Sequence, residues 1–370
     1  MKRDGFSAEE LRDSIRSSAA GRLALGALSA VYSAAIAGRR GLYASGLRKA
    51  RRLPIPVVCF GNISSGGTGK TSTVVTVAME LARAGRRPAV LLRGYKRRVP
   101  PRTVTVLAKG RPLSLDEAGD EALMLYRLLE PAGVPVVVSS DRFASGSLAA
   151  SELGADILLM DDGFQHFAVR RDADIVLVNA TAPFSADHVL PAGDLREPAS
   201  ALARARAVVI THCEQVTQDS IEKLRGEIRA AAPKAEVVES MHAPEAFIDP
   251  VTAEKVDLNV LKGRKAVSLC GIGDPASFEE TLKKMRIELS QIWRYPDHHP
   301  FSLDDLAAAQ QTRGDLPLIT THKDFARFPQ GWQQVLPGGV LILSVKIVFL
   351  LDGWKRLMRI VASAGKKEDR

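Results

Sequence analysis

Residues 61–72 read Gly-Asn-Ile-Ser-Ser-Gly-Gly-Thr-Gly-Lys-Thr-Ser (GNISSGGTGKTS). A short apolar run, Ile55–Phe60 (IPVVCF), precedes them, and a helical pattern from Lys70 to Ala84, closed by Gly85, follows. A strand, a glycine-rich turn and a helix in that order are what a chain needs to wrap a phosphate group. Gly66, Gly67 and Gly69 let backbone N–H groups turn inward, and the helix start adds partial positive charge. Lys70 is a mobile cation for the β- and γ-phosphates of a nucleotide, and Thr71 offers its hydroxyl to Mg²⁺. Asn62, Ser65, Thr68 and Ser72 complete the stretch expected to hold ATP. Two positions depart from known loops. Ser64 stands where the standard pattern has glycine, and Ser65 stands where a variant pattern has lysine before the glycine pair.

A matching acidic half lies downstream. Ile157–Met160 runs into Asp161-Asp162-Gly163. A buried strand ending in a carboxylate is a place to coordinate Mg²⁺ or orient its water. Adjacent residues of a strand point opposite ways, so one of Asp161 and Asp162 is expected to face the metal; which one stays open. Further apolar runs at Ala89–Leu92, Val104–Leu107, Val134–Ser139, Ile175–Val178 and Ala207–Ile210 alternate with helical stretches. That alternation predicts an α/β fold with a doubly wound sheet. A second block has strands at Ala266–Cys270, Leu316–Thr321 and Val340–Val345, and a helix through Met285 capped by Asp274 or Ser277. Residues 242–250 lack helical period, contain two prolines and read as the connection. The expected organisation is an N-terminal segment 1–52, a nucleotide-binding domain 53–240 and a smaller α/β domain 241–370.

The N-terminal segment carries eleven of the Lys and Arg residues against four Asp and Glu, so it holds most of the formal net charge of +9. Within it, Leu23–Gly38 (LALGALSAVYSAAIAG) is uncharged. As a helix it would be about 24 Å long, short of a ~30 Å hydrocarbon core. Leu25, Leu28, Tyr32 and Ile36 recur at helical spacing. Upstream, Leu11 pairs with Ile15, and Arg12 with Arg16, at i,i+4. Basic residues Arg39, Arg40, Arg48, Lys49, Arg51 and Arg52 flank the apolar stretch, which predicts a helix on an anionic phospholipid surface. The charge sits beside an apolar helix and no aromatic-basic stacking motif appears, which argues against a nucleic-acid partner. No obligate protein partner is indicated. The three cysteines among 370 residues form no CxxC pair, so neither a zinc site nor a disulfide framework is expected.

Several strings together carry a resemblance: Gly61-Asn62 before GGTGKT, Arg93-Gly94-Tyr95, Asp161–His166 (DDGFQH), Leu190–Gly193 (LPAG) with Leu195–Pro198 (LREP), and Asp297-His298. The chain resembles the tetraacyldisaccharide 4′-kinase family from the N-terminal helix to about residue 330. The resemblance implies a P-loop NTPase-like sheet with a second, smaller α/β domain. It also implies transfer of the γ-phosphoryl group of ATP to a lipid A disaccharide precursor at the cytoplasmic face of the bacterial inner membrane. By the same likeness Asp120 is the base and His298 assists it, while Arg142 and Lys70 meet the moving charge. Glu121 and Asp162 join the metal shell, and Arg196, Glu197 and Asp297 line the substrate side. The family pattern is departed from at Ser72, where proline is usual, at Lys96, where glycine is usual, and at His322, where glutamate is usual. A membrane-associated regulatory ATPase is the alternative; it does not account for Asp120 or the Asp-His pair.

Overall fold

The computed structural model describes residues 12, 14–65, 67–94, 97–111, 115–184, 187–297 and 299–366. In chain order the helices used below are α1 (Ala19–Ala44), α2 (Lys70–Arg83), α3 (Asp120–Leu129), α4 (Arg142–Ser151), α5 (Gln218–Ala231), α6 (Pro275–Lys284), α7 (Leu303–Arg313), α8 (His322–Phe325) and α9 (Gly353–Ser363). The strands are β1 (Val57–Gly61), β2 (Pro88–Leu92), β3 (Thr105–Leu107), β4 (Val136–Val138), β5 (Ile157–Asp161), β6 (Ala173–Asn179), β7 (Ala207–Thr211), β8 (Glu236–Ile248), β9 (Lys255–Val256), β10 (Lys265–Cys270), β11 (Glu288–Arg294), β12 (Leu318–Thr321) and β13 (Val340–Phe349). They fall into two compact units. The first comprises residues 1–70, 142–241 and 349–370; the second comprises 71–141 and 242–348.

In the first unit β5, β1, β6, β7 and the start of β8 lie side by side, all parallel. Both faces of a parallel sheet are covered, so its strands are apolar throughout; every residue of β1, β5 and β7 is buried. On one face, Val176, Val178, Val208 and Ile210 pack with Ile221, Leu224 and Ile228. Those last three recur along α5 as one helical stripe, while Thr217 caps its start.

The second unit holds β2 parallel to β4, with β3 antiparallel on β4. It also holds the parallel set β11, β10, β12, β13. Its α6 begins at Asp274, whose carboxylate accepts the Ser277 N–H at 3.0 Å. A capping box of Ser302 and Asp305 starts α7. Two small cores form on β10 and β12. One gathers Ala266, Cys270, Leu282 and Ile319, the other Leu269, Phe301, Leu306 and Leu318.

Two expectations are corrected. Residues 242–248 are strand, not irregular connection: β8 continues through them and pairs its far end with β9. The N-terminal helix is 26 residues long, or about 39 Å. Charge at Arg22, Arg39 and Arg40 does not stop it; Ser18 does at one end, accepting the Gly21 N–H at 2.9 Å. By length and composition α1 is able to cross a membrane. Its packed stripe is Leu25, Ser29, Tyr32, Ser33 and Ile36, so Leu28 leaves the expected face. Leu23 (77% exposed), Leu28 (56%) and Val31 (68%) form an uncovered apolar side.

Candidate active site

The phosphate loop leaves β1 at Gly61, where glycine is required by close approach. A Cβ there would stand 2.5 Å from the Cβ of Phe164 and 3.0 Å from its backbone nitrogen. The first glycine of the loop therefore packs against the DDGFQH turn. The loop is tied down from three sides within the first unit. Gln165 donates its amide to the Asn62 carbonyl at 2.9 Å. Asn179, ending β6, donates to the Gly67 carbonyl at 3.1 Å. Thr211, ending β7, donates to the Thr68 carbonyl at 3.2 Å. Inside the loop, the amide of buried Asn62 donates to the Thr68 hydroxyl at 3.3 Å. Carbonyls held this way turn their neighbouring N–H groups to the opposite side, as an anion cradle needs. Gly66 lies outside the described residues. Lys70 opens α2, and Thr71 and Ser72 follow in its first turn, half-buried.

The two acids after β5 take different positions. Asp161 ends the strand and is buried, 2% exposed. Asp162 turns with φ 50° and faces cations. Lys70 Nζ stands 3.6 Å from its carboxylate, and Arg196 Nη1 reaches both oxygens at 2.9 and 3.0 Å. Burial pushes the Asp162 carboxyl up, but Lys70, then Arg196 and Arg142, outweigh it and hold it below the usual carboxylate range. Four of the expected site residues, Lys70, Asp162, Arg142 and Arg196, thus share one electrostatic cluster. Arg142 is 2% exposed at the start of α4. Glu197 lies beneath this cluster and is buried. Both its oxygens accept from Arg204 at 2.9 Å, and one also accepts from Gln165 at 3.0 Å. Its role in the fold is to orient the glutamine that holds the loop.

In the second unit, Asp120 and Glu121 open α3. Asp120 is half-buried and accepts the Glu121 N–H at 2.9 Å. Glu121 is exposed. The short helix α8 packs on α3, and Lys323 of α8 holds the Asp297 carboxylate at 2.8 Å. The structure therefore brings Lys323 to Asp297 and sets its helix against α3, which Asp120 opens, although these segments are far apart in sequence. His298 lies outside the described residues. Its neighbour His299 is structural: Nε2 meets Asp305 at 3.0 Å and the ring stacks on Tyr295 at 4.5 Å. Within α8, Asp324 is fully buried. It accepts the Gly271 N–H at 2.9 Å and the Thr321 hydroxyl at 2.7 Å, and pairs with Arg327. His322 is half-buried, and the loss of water around it lowers its pKa to about 4 and keeps the imidazole neutral.

The family model of tetraacyldisaccharide-1-P 4′-kinase matches residues 22–363. This chain belongs to that 4′-kinase family. The tetraacyldisaccharide 4′-kinase of Elusimicrobium minutum is 40% identical over 340 residues, covering 92% of this chain and 91% of that protein. The enzyme of the same name from Anaeromyxobacter dehalogenans strain 2CP-C is 40% identical over 301 residues, 80% of this chain and 79% of that one. The crystal structure of LpxK from Aquifex aeolicus in complex with ATP superposes with a TM-score of 0.74 at 29% identity. The match covers 92% of this chain and 98% of that one. The chain is accordingly an ATP-dependent kinase with a P-loop-type α/β fold.

Within the 4′-kinase pattern, the structure gives physical reasons for strings that looked arbitrary. The glutamine of DDGFQH holds the phosphate loop, the arginine of LREP holds Asp162, and the glutamate beside it holds the glutamine. In Thr321-His322-Lys323-Asp324 the aspartate anchors the turn at Gly271 and the lysine anchors Asp297. Gln165, Asn179, Thr211 and Lys323 were not among the expected site residues. For Asn179 and Thr211 a signal existed: each is the polar residue ending an apolar strand, at the carboxyl edge where ligands of α/β sheets bind.

Proposed function

We propose that this kinase transfers the γ-phosphoryl group of ATP to the 4′-hydroxyl of tetraacyldisaccharide 1-phosphate, at the cytoplasmic face of the bacterial inner membrane. The observation carrying the proposal is the family match across residues 22–363 on a chain whose phosphate loop is braced at Asn62, Gly67 and Thr68. The loop amides and Lys70 bind the phosphates. Thr71, Glu121 and the Asp161-Asp162 pair are the residues suited to hold Mg²⁺, since all offer hard oxygen donors. Bound there, Mg²⁺ supplies charge neutralisation on the β- and γ-phosphates. Lys70, Arg142 and Arg196 meet the charge that builds on the transferring group; Asp162 keeps Lys70 and Arg196 extended until phosphate replaces it as their partner.

Asp120 takes the proton of the acceptor hydroxyl, with His298 tuning its charge. Asp297, held by Lys323, contributes to the sugar side together with Arg196, while buried Glu197, expected there, acts instead through Gln165 on the loop. The uncovered apolar side of α1, with Arg40, Arg48 and Lys49 near its end, suits an anionic phospholipid surface. The test is incubation with γ-labelled ATP, Mg²⁺ and tetraacyldisaccharide 1-phosphate in mixed micelles. Label in the lipid, at the 4′ position, is the expected result. ATP hydrolysis by folded protein with no labelled lipid would overturn the reading in favour of a regulatory ATPase.

A further inference from the structure

Between LPAG and LREP stands Asp194, a residue none of the motif readings uses. It faces two ways. Toward the phosphate loop, its carbonyl accepts the Ser65 N–H at 2.6 Å and the Ser65 hydroxyl at 2.9 Å, and its carboxylate lies 3.3 Å from that hydroxyl. Toward the N-terminal segment, its two carboxylate oxygens meet the two guanidinium nitrogens of Arg12 at 2.5 and 3.3 Å. The same arginine also donates to the Gly193 carbonyl at 3.1 Å. The Arg12 side chain is 16% exposed and that of Asp194 42%, so the arginine is the covered partner of the pair.

The segment around Asp194 is stiff. Asp187 accepts the Asp194 N–H at 2.9 Å, and the Leu195 N–H bonds back to the His188 carbonyl at 3.0 Å. Gly193 has no room for a side chain: a Cβ would stand 2.1 Å from the Asp187 carboxylate and 2.2 Å from the His188 carbonyl. Ser29 of α1 grips the same segment, donating to the Val189 carbonyl at 2.7 Å and accepting the Ala192 N–H at 3.0 Å. At its far end, Arg196 holds Asp162 and donates its N–H to the Ile63 carbonyl at 2.6 Å. Residues 187–196 are therefore a strap with the N-terminal segment on one side and the nucleotide loop on the other.

We infer that Asp194 is a positioning residue for the phosphate loop, and that Arg12 sets it, so that the seating of the N-terminal segment adjusts nucleotide affinity. In this loop Ser65 stands where variant loops have the extra lysine, and both its N–H and its hydroxyl are anchored from outside the loop. Asp194 is that anchor. Its own orientation depends on a two-pronged arginine, which a single-point cation reproduces incompletely. The inference rests on the phosphate-loop assignment.

The test measures equilibrium binding of a non-hydrolysable ATP analogue with Mg²⁺ to the full chain, beside the melting temperature. Arg12→Ala and Asp194→Asn are each expected to weaken binding about 3–10-fold with little change in melting temperature, and the double variant to weaken it no further than the stronger single. Arg12→Lys should recover part of the loss. Unchanged affinity in folded Arg12→Ala, or effects that multiply in the double variant, would overturn the inference. Should Arg12→Ala not fold, the contrast between Arg12→Lys and wild type decides in the same way. Lys70→Ala is the separate control: if wild type binds the analogue and Lys70→Ala does not, the loop assignment stands whatever becomes of Arg12.

Discussion

Two strands of the molecule run into an acidic turn, and the two carboxylates are used in opposite ways. After β5, Asp162 keeps 42% of its side chain exposed, and the bonds that bind it come from the long cations Lys70 and Arg196. After β12, Asp324 has no exposed surface, and its bonds come from a backbone N–H, a neighbouring hydroxyl and the nearly buried Arg327. Cations hold the first carboxyl below its usual range, whereas burial pushes the second above it. Flexible cations at an accessible carboxylate can exchange partners when an anionic ligand arrives. A carboxylate satisfied by fixed neighbours cannot, and serves architecture. Sequence alone makes the two turns look alike.

The contrast breaks most visibly in turnover. Asp162→Asn is expected to lower kcat about 10²–10³-fold, the scale of removing one preorganised electrostatic contact. Its melting temperature should stay within about 2 °C of wild type, because exposed pairs contribute little to stability. Retained activity would remove Asp162 from the site. Asp324→Ala should do the reverse and destabilise by about 3–5 kcal/mol, since it strands a buried guanidinium and the Gly271 N–H. Denaturant unfolding measures this; a loss under about 1 kcal/mol would erase the distinction.

The smallest effect concerns His322, beside Asp324. Its folded pKa of about 4 lies below the ordinary 6.5, so the unfolded chain takes up a proton first as pH falls. Stability from this residue is full above pH 6.5 and declines toward pH 4, by up to about 1.4 kcal/mol per pH unit. His322→Gln should flatten that part of the stability–pH curve. Parallel curves for the two proteins would show that burial does not hold the imidazole neutral.

How much of this was legible follows from what each element relies on. β1, β5 and β7 are apolar from end to end, and GGTGKT sits between the first of them and a helix, so sheet and loop could be read directly. β11, Glu-Leu-Ser-Gln-Ile-Trp-Arg, alternates exposed with half-buried residues and offers no apolar run. β8 carries His242 and Pro244 within the strand, which disguised it as a connection. The ends of α1 are set by Ser18 and Ser45, not by the arginines that bound its uncharged stretch. At the site, residue types with intrinsic chemistry announced themselves. Gln165 and Asp194 did not, because each acts through a contact with a loop more than a hundred residues away in sequence.

The central claim is a division of labour in which the loop at Lys70 holds the nucleotide and Asp120 serves the acceptor hydroxyl. Calorimetric titration of Asp120→Asn with a non-hydrolysable ATP analogue and Mg²⁺, beside its lipid-kinase turnover, tests it most directly. The account predicts nucleotide affinity within about twofold of wild type and turnover lower by about 10²–10⁴-fold, the range for losing a general base. A nucleotide affinity that falls in step with turnover would contradict it and place Asp120 among the residues that hold Mg-ATP.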